Sequence, residues 1–219
     1  MKTIAVIIAL LFGTISVAQH NKDFEILELY NESPLGLVSL LDSANINALV
    51  KTPHLDSAAS HHAQYLLIDF LEKYPLIKIS HEETVDYPDF EEKLHPHDRT
   101  GFANQTQEIC NIYNTKKIIF KRKSEMDFLI KTGHVGSYKS IFFPNYAENL
   151  IFECYKKSSA HWEIIQDPNL VFVGSSNIVC VYRSTKDLSQ QQISDGKVEI
   201  GLVSINVSVF TQNSLLSQK

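Results

Sequence analysis

The chain has 219 residues, with 20 Lys and Arg against 25 Asp and Glu and a formal net charge of −5. That length suits one domain with extensions or two small ones, and a core of that size needs no disulfide staples. A mildly acidic, well-mixed charge gives nucleic acid no basis as a partner.

Met1-Lys2 precedes an apolar run from Ile4 to Phe12, and Ser16 and Ala18 stand at the −3 and −1 positions of a cleavage site. This is the pattern of a secretory signal peptide over residues 1–18. The run is shorter than the ~20 apolar residues that span a bilayer, and no later stretch reaches that length. The mature chain is therefore expected to be secreted or periplasmic, without a membrane span. No cysteine follows the cut, which argues against a lipid anchor.

Cys110, Cys154 and Cys180 are the three cysteines. An odd number leaves at least one unpaired or pairs it between molecules. Their apolar neighbours read as those of buried thiols; one disulfide stays open, with no pair to prefer.

Residues 20 to 45 read as a short helix or an extended arm. From Asp56 the apolar spacing of Ala59, Ala63, Leu66, Leu67 and Phe70 predicts a helix, capped by Asp56 or Ser57. His61 and His62 point about 100° apart on it, which suits them poorly to one metal. They read as one partly exposed residue and one packing residue.

Residues 82 to 100 are acidic and irregular, and His95-Pro96-His97 reads as a solvated loop. Lys116, Lys117, Lys121, Arg122 and Lys123 surround Ile118-Ile119-Phe120 and read as a solvated strand and turn. Gly133-His134-Val135-Gly136 reads as a turn. Residues 147 to 157 predict a helix with Leu150, Cys154 and Ser158 one turn apart. After it come a small-residue turn, His161 and a short apolar piece. Leu170 to Gly174 and Asn177 to Tyr182 read as a hairpin about Ser175-Ser176. Ser184 to Gly196 is a polar loop. Lys197 to Phe210 predicts a strand, either of the same sheet or of an appendage. Asn104-Gln105-Thr106 and Asn206-Val207-Ser208 fit the glycosylation triplet.

The order Tyr155-x-x-Ser158-x-x-His161, then Ile164-Ile165, Asp167-Pro168 and a strand ending at Gly174, resembles the bacterial branch of the CAP family of SCP-like domains. Tyr155 stands where that family usually has Trp. Asn47 to Lys51 and His54 to Asp56 resemble its opening helix and loop. Ser57 to Phe70 resembles its second helix, and Ser80-His81 a pair that enters its site. Asp98 to Phe102 followed by Gln107-Glu108-Ile109 resembles its Arg, Gly and Gly-Glu-Asn elements, with Gln107 in place of Gly and the Asn displaced. Ala147-Glu148-Asn149-Leu150 is a rival match to the last of these.

The resemblance implies an α/β (α+β) fold, a three-layer αβα sandwich. It divides the chain into a signal peptide (1–18), an N-terminal extension (19–44), a CAP-like domain (45–183) with an insertion at about 113–145, and a C-terminal extension with one strand (184–219). It implies a cleft of His81, Glu108, Ser158 and His161, with Glu148 as the alternative carboxylate. Ser158 takes the place of a second glutamate found in many relatives. No cofactor is required. Zn²⁺ or another divalent cation fits His81 and His161 with a carboxylate and water; the same groups also suit a buried hydrogen-bond network. The expected function is a non-catalytic extracytoplasmic binding module, a monomer whose partner is a small ligand or a surface protein. The alternative is a secreted hydrolase with Ser158 as nucleophile and His161 or His81 as base, although no serine elbow or oxyanion hole is spelled out.

Overall fold

The computed structural model describes residues 24–32, 35–45, 48–74, 79–85, 87, 90–102, 106–120, 138–143 and 149–212. The signal-peptide pattern, Glu148, Asn104, the Gly133 to Gly136 turn and Lys121 to Lys123 lie outside them.

Five strands form the sheet: β1 (Phe24–Glu32), β2 (Val50–Lys51), β3 (Thr106–Phe120), β4 (Phe172–Ser184) and β5 (Lys197–Thr211). Their order is β1-β4-β5-β3, antiparallel throughout, with the short β2 pairing parallel to β4. The helices are α1 (Leu35–Ala44), α2 (Pro53–Lys73), α3 (Pro96–Thr100), α4 (Tyr138–Phe142), α5 (Asn149–Lys157), α6 (Ser159–Gln166) and α7 (Gln190–Ser194).

Alternation along the strands builds the layers. Ile178, Cys180 and Tyr182 of β4 and Val203, Ile205, Val207 and Val209 of β5 face α2, meeting Leu55, Ala59, Leu66 and Phe70. On the opposite face Ile109, Val173 and Phe210 pack under Leu37 and Leu41 of α1, Ile151 and Tyr155 of α5 and Ile165 of α6. Val179, Val181, Ile200 and Leu202 continue that face toward Phe143. The fold is α+β, with helices on both faces of the sheet.

Several local readings differ from this. β4 is one continuous strand and not a hairpin. Ser175 and Ser176 are buried within it, because the Ser175 hydroxyl finds the Val207 carbonyl (3.2 Å) and the Ser208 hydroxyl (2.8 Å) on β5. The Lys197 segment is a central strand. It is buried on both faces, and its Ser204, Asn206 and Ser208 lie buried against polar groups of β4. The segments 19–44 and 184–219 supply β1 and β5 to the same sheet and core. Helix α2 starts earlier than the apolar spacing suggests: Pro53 stands at its first position and the Thr52 hydroxyl accepts from the Leu55 N–H. Pro96 to Thr100 is a short helix, not a loop. All three cysteines are free; Cys110 and Cys180 are buried, but Cys154 is exposed. Asn206 is fully buried in β5, so its triplet is closed to glycosylation in the folded chain.

Gly174 sets the approach of α2 to the sheet. A Cβ there would run into the Leu55 and Asp56 backbone. The close contact lets the Asp56 carboxylate accept from the Ser175 N–H at 3.0 Å. We expect Gly174→Ala to destabilise the fold by about 3 kcal/mol, since backbone has little room to yield; a urea midpoint equal to wild type would show the contact to be loose. In the native protein a thiol reagent should titrate one cysteine, Cys154, and in denaturant all three.

Candidate functional site

Four segments meet beside the start of β3. Helix α2 brings His61 and His62, the stretch Ile79 to Val85 brings His81 and Glu83, α3 brings Arg99, and β3 brings Glu108 and Cys110. Arg99 and Glu108 have side chains only 1% exposed, and the side chains of Glu83 and His62 are fully buried.

Arg99 is the hub. Its Nη2 donates to both Glu108 oxygens (2.9 and 2.8 Å) and to the His81 carbonyl (3.0 Å). Its Nη1 donates to Glu83 Oε1 (3.2 Å) and to the Lys93 carbonyl (2.9 Å). Its Nε has no hydrogen-bond partner among the described residues.

Glu83 collects four donors. His61 Nε2 reaches its Oε2 at 3.1 Å, His62 Nδ1 its Oε1 at 2.9 Å, and the Lys93 N–H its Oε2 at 2.6 Å; Arg99 is the fourth. Burial alone would raise the Glu83 pKa; the hydrogen bonds from His61, His62 and Lys93 outweigh it and bring it down to about 2 from the ordinary 4.5. Adjacent histidines on a helix thus share one carboxylate, one oxygen each.

Glu108 orients His81. His81 Nδ1 lies 3.1 Å from Glu108 Oε1, and the Cys110 thiol donates to the same oxygen at 3.6 Å. Burial pushes the Glu108 pKa up, but the His81 hydrogen bond and the charges of His62 and Arg99 hold it below the usual carboxylate range. Burial, and then the Glu108 charge, push the Cys110 thiol well above its usual value, so it stays protonated.

His161 lies in the first turn of α6. Its backbone N–H donates to the Ser158 hydroxyl, which caps that helix at 3.5 Å. Its ring packs edge-on against Tyr155, centroids 5.4 Å apart. Burial, and then the nearby charge of His81, lower the His161 pKa below the ordinary imidazole value. His161 is thus neutral at pH 7. Tyr155 is fully buried and donates to Asn206 Oδ1 at 2.6 Å, which ties α5 to the centre of the sheet.

Of the residues singled out in the sequence, His81 and Glu108 touch, and His161 lies within electrostatic reach of His81. Ser158 makes no hydrogen bond to either imidazole. Glu148 is outside the described residues. His62, Glu83 and Arg99 were missed as site residues. The Arg99 position was legible in the resemblance, and Glu83 two residues after His81 was the remaining signal.

Donor atoms of His62, Glu108 and Cys110 lie within 4.8 Å of one another. This trio does not fit a metal. Both Glu108 oxygens face the Arg99 guanidinium, His62 Nε2 donates to the Ser80 carbonyl at 2.9 Å, and the thiol stays protonated. His81 Nε2 and the His161 ring nitrogens have no hydrogen-bond partner among the described residues. Imidazoles with open nitrogens suit Zn²⁺ or a related ion, with water completing the shell.

No family model and no curated protein matches the chain. Among solved structures it is similar to an outer surface protein from Borrelia burgdorferi, with a TM-score of 0.42 and 14% identity over 85% of this chain and 100% of that one. A likeness of that size carries no argument about fold or function. No helix of the described residues is long and apolar enough to cross a membrane.

Both buried carboxylates are more acidic in the folded chain than in the unfolded one. Their stabilisation is complete above about pH 4.5 and is lost as pH falls toward 2, on the order of 3 kcal/mol for Glu83. Glu83→Gln should lower stability at pH 7 by about 3 kcal/mol, because it leaves buried cations short of a carboxylate. It should also flatten the acid limb of the stability curve. Urea midpoints at pH 7, 4 and 3 check both; an unchanged acid limb would place the titrating group elsewhere.

Proposed function

We propose that the chain is an exported, CAP-like binding module whose cleft presents His81 and His161 to a divalent metal ion or a small ligand, outside the cytoplasm. One observation carries this reading: His81 is fixed through Nδ1 by a buried carboxylate while its Nε2 stays open, and a second, neutral imidazole lies nearby. The motif order from Ser80-His81 through His161 to Gly174 supports the family likeness, and the signal-peptide pattern supports export.

A binding role is favoured over hydrolysis by the use made of Ser158. Its oxygen accepts from the His161 backbone as a helix cap, and no imidazole among the described residues is placed to take its proton. The metal-binding form of the module would hold the ion through His81 Nε2 and His161. The ion would supply Lewis acidity or a polar docking point. Glu108 would orient His81 from behind, as a carboxylate does for a metal-bound histidine.

The test is a thermal shift of the mature chain with zinc. At 100 times Kd the ion should stabilise by about 2.7 kcal/mol, or about 5–10 °C for a chain of this size. His161→Ala and His81→Ala should each abolish the shift while keeping the fold. A shift that survives both substitutions would move the ion to another place, and no shift with zinc, cobalt or nickel would leave only the small-ligand form of the reading.

A further inference from the structure

We propose that His62 is a positioning residue of the cleft, held as a buried imidazolium that acts with Arg99 to place His81. Both ring nitrogens of His62 face acceptors. His62 Nε2 lies 2.9 Å from the Ser80 carbonyl, which only accepts, so that nitrogen carries a proton. Its Nδ1 lies 2.9 Å from Glu83 Oε1, a carboxylate kept ionised by its other donors, so this nitrogen carries one as well. A neutral ring would turn a lone pair onto one of these acceptors in a site without water exposure.

The surroundings agree in charge. From the stretch Ile79 to Val85 come Glu83 and the backbone about His81. From α3 comes Arg99, and from β3 come Glu108, 3.5 Å from His62 Nε2, and Cys110. On α2 itself His61 shares Glu83, and Tyr65 stacks on the His62 ring with centroids 5.9 Å apart. Two cations, His62 and Arg99, balance two carboxylates, Glu83 and Glu108.

The consequence falls on His81. The carbonyl before it, of Ser80, accepts from His62. Its own carbonyl accepts from Arg99. Its ring is held by Glu108, which both cations neutralise. Backbone and ring are thus fixed by the same pair of charges, and Nε2 is left without a hydrogen-bond partner among the described residues on a partly exposed ring. This deepens the cleft reading, yet its test uses no ligand.

The experiment is a nitrogen-15 spectrum of the histidine rings in the mature chain at pH 7. Both His62 nitrogens should resonate in the protonated range, and His81 Nδ1 should carry a proton toward Glu108. An unprotonated nitrogen on His62 at neutral pH would overturn the proposal without touching the cleft reading, which the zinc shift decides separately. His62→Gln retains a donor toward Ser80 but carries no charge. In a folded His62→Gln the His81 ring should populate both tautomers. Lower stability with an unchanged His81 tautomer would reduce His62 to a packing role. If the variant does not fold, the wild-type spectrum alone decides.

Discussion

The fork of Arg99 onto two buried carboxylates is the contact on which the rest of the site depends. A guanidinium out of water is costly unless its charge and its N–H groups are met. Here Glu83 and Glu108 meet the charge, and the Lys93 and His81 carbonyls take further donors. The partners come from three segments, the stretch Ile79 to Val85, the one that holds Lys93, and β3, so satisfying one charge also fixes how those segments lie. That is how a stretch with no regular secondary structure, Ile79 to Val85, holds an imidazole in a defined place.

Helix α2 is tied to the sheet at both ends by polar groups, and by apolar packing between. At its start Asp56 reaches the Ser175 N–H over Gly174. Just past its end Tyr74 donates to Glu199 of β5 at 2.6 Å, and Lys116 of β3 joins Tyr74, Asp187 and Glu199. Phe24, Phe70, Tyr74 and Tyr182 pack their rings together beside this second cluster. His62 therefore sits on a helix that cannot tilt or slide without breaking polar contacts at one end or the other.

Element types were legible in the sequence where one face is apolar and the period is clear, as for α2 and for the strand pattern of residues 197 to 210. Places in the sheet were not. β5 is buried on both faces, yet Glu199, Ser204, Asn206 and Ser208 give it the alternation of a half-exposed strand, so it looked no different from an appendage. Ser175-Ser176 looked like a turn because serine is common in turns; in β4 the hydroxyls are satisfied by β5, a pairing that local pattern does not encode. In the site, the pairing of His81 with Glu108 was legible from motif order. His62 and Glu83 were not, because a buried ion network is a property of three-dimensional neighbours. Two adjacent helical histidines are unsuited to one metal by their angle, yet the two oxygens of one carboxylate accommodate both.

The last strand in the chain lies between two strands made before it, and this orders the assembly of the protein. Among the described residues β3 and β4 have no ladder with each other; both wait for β5, so the sheet cannot close until Lys197–Thr211 has been made. Pairings of such wide sequence separation carry a large loop-closure cost and make folding slow.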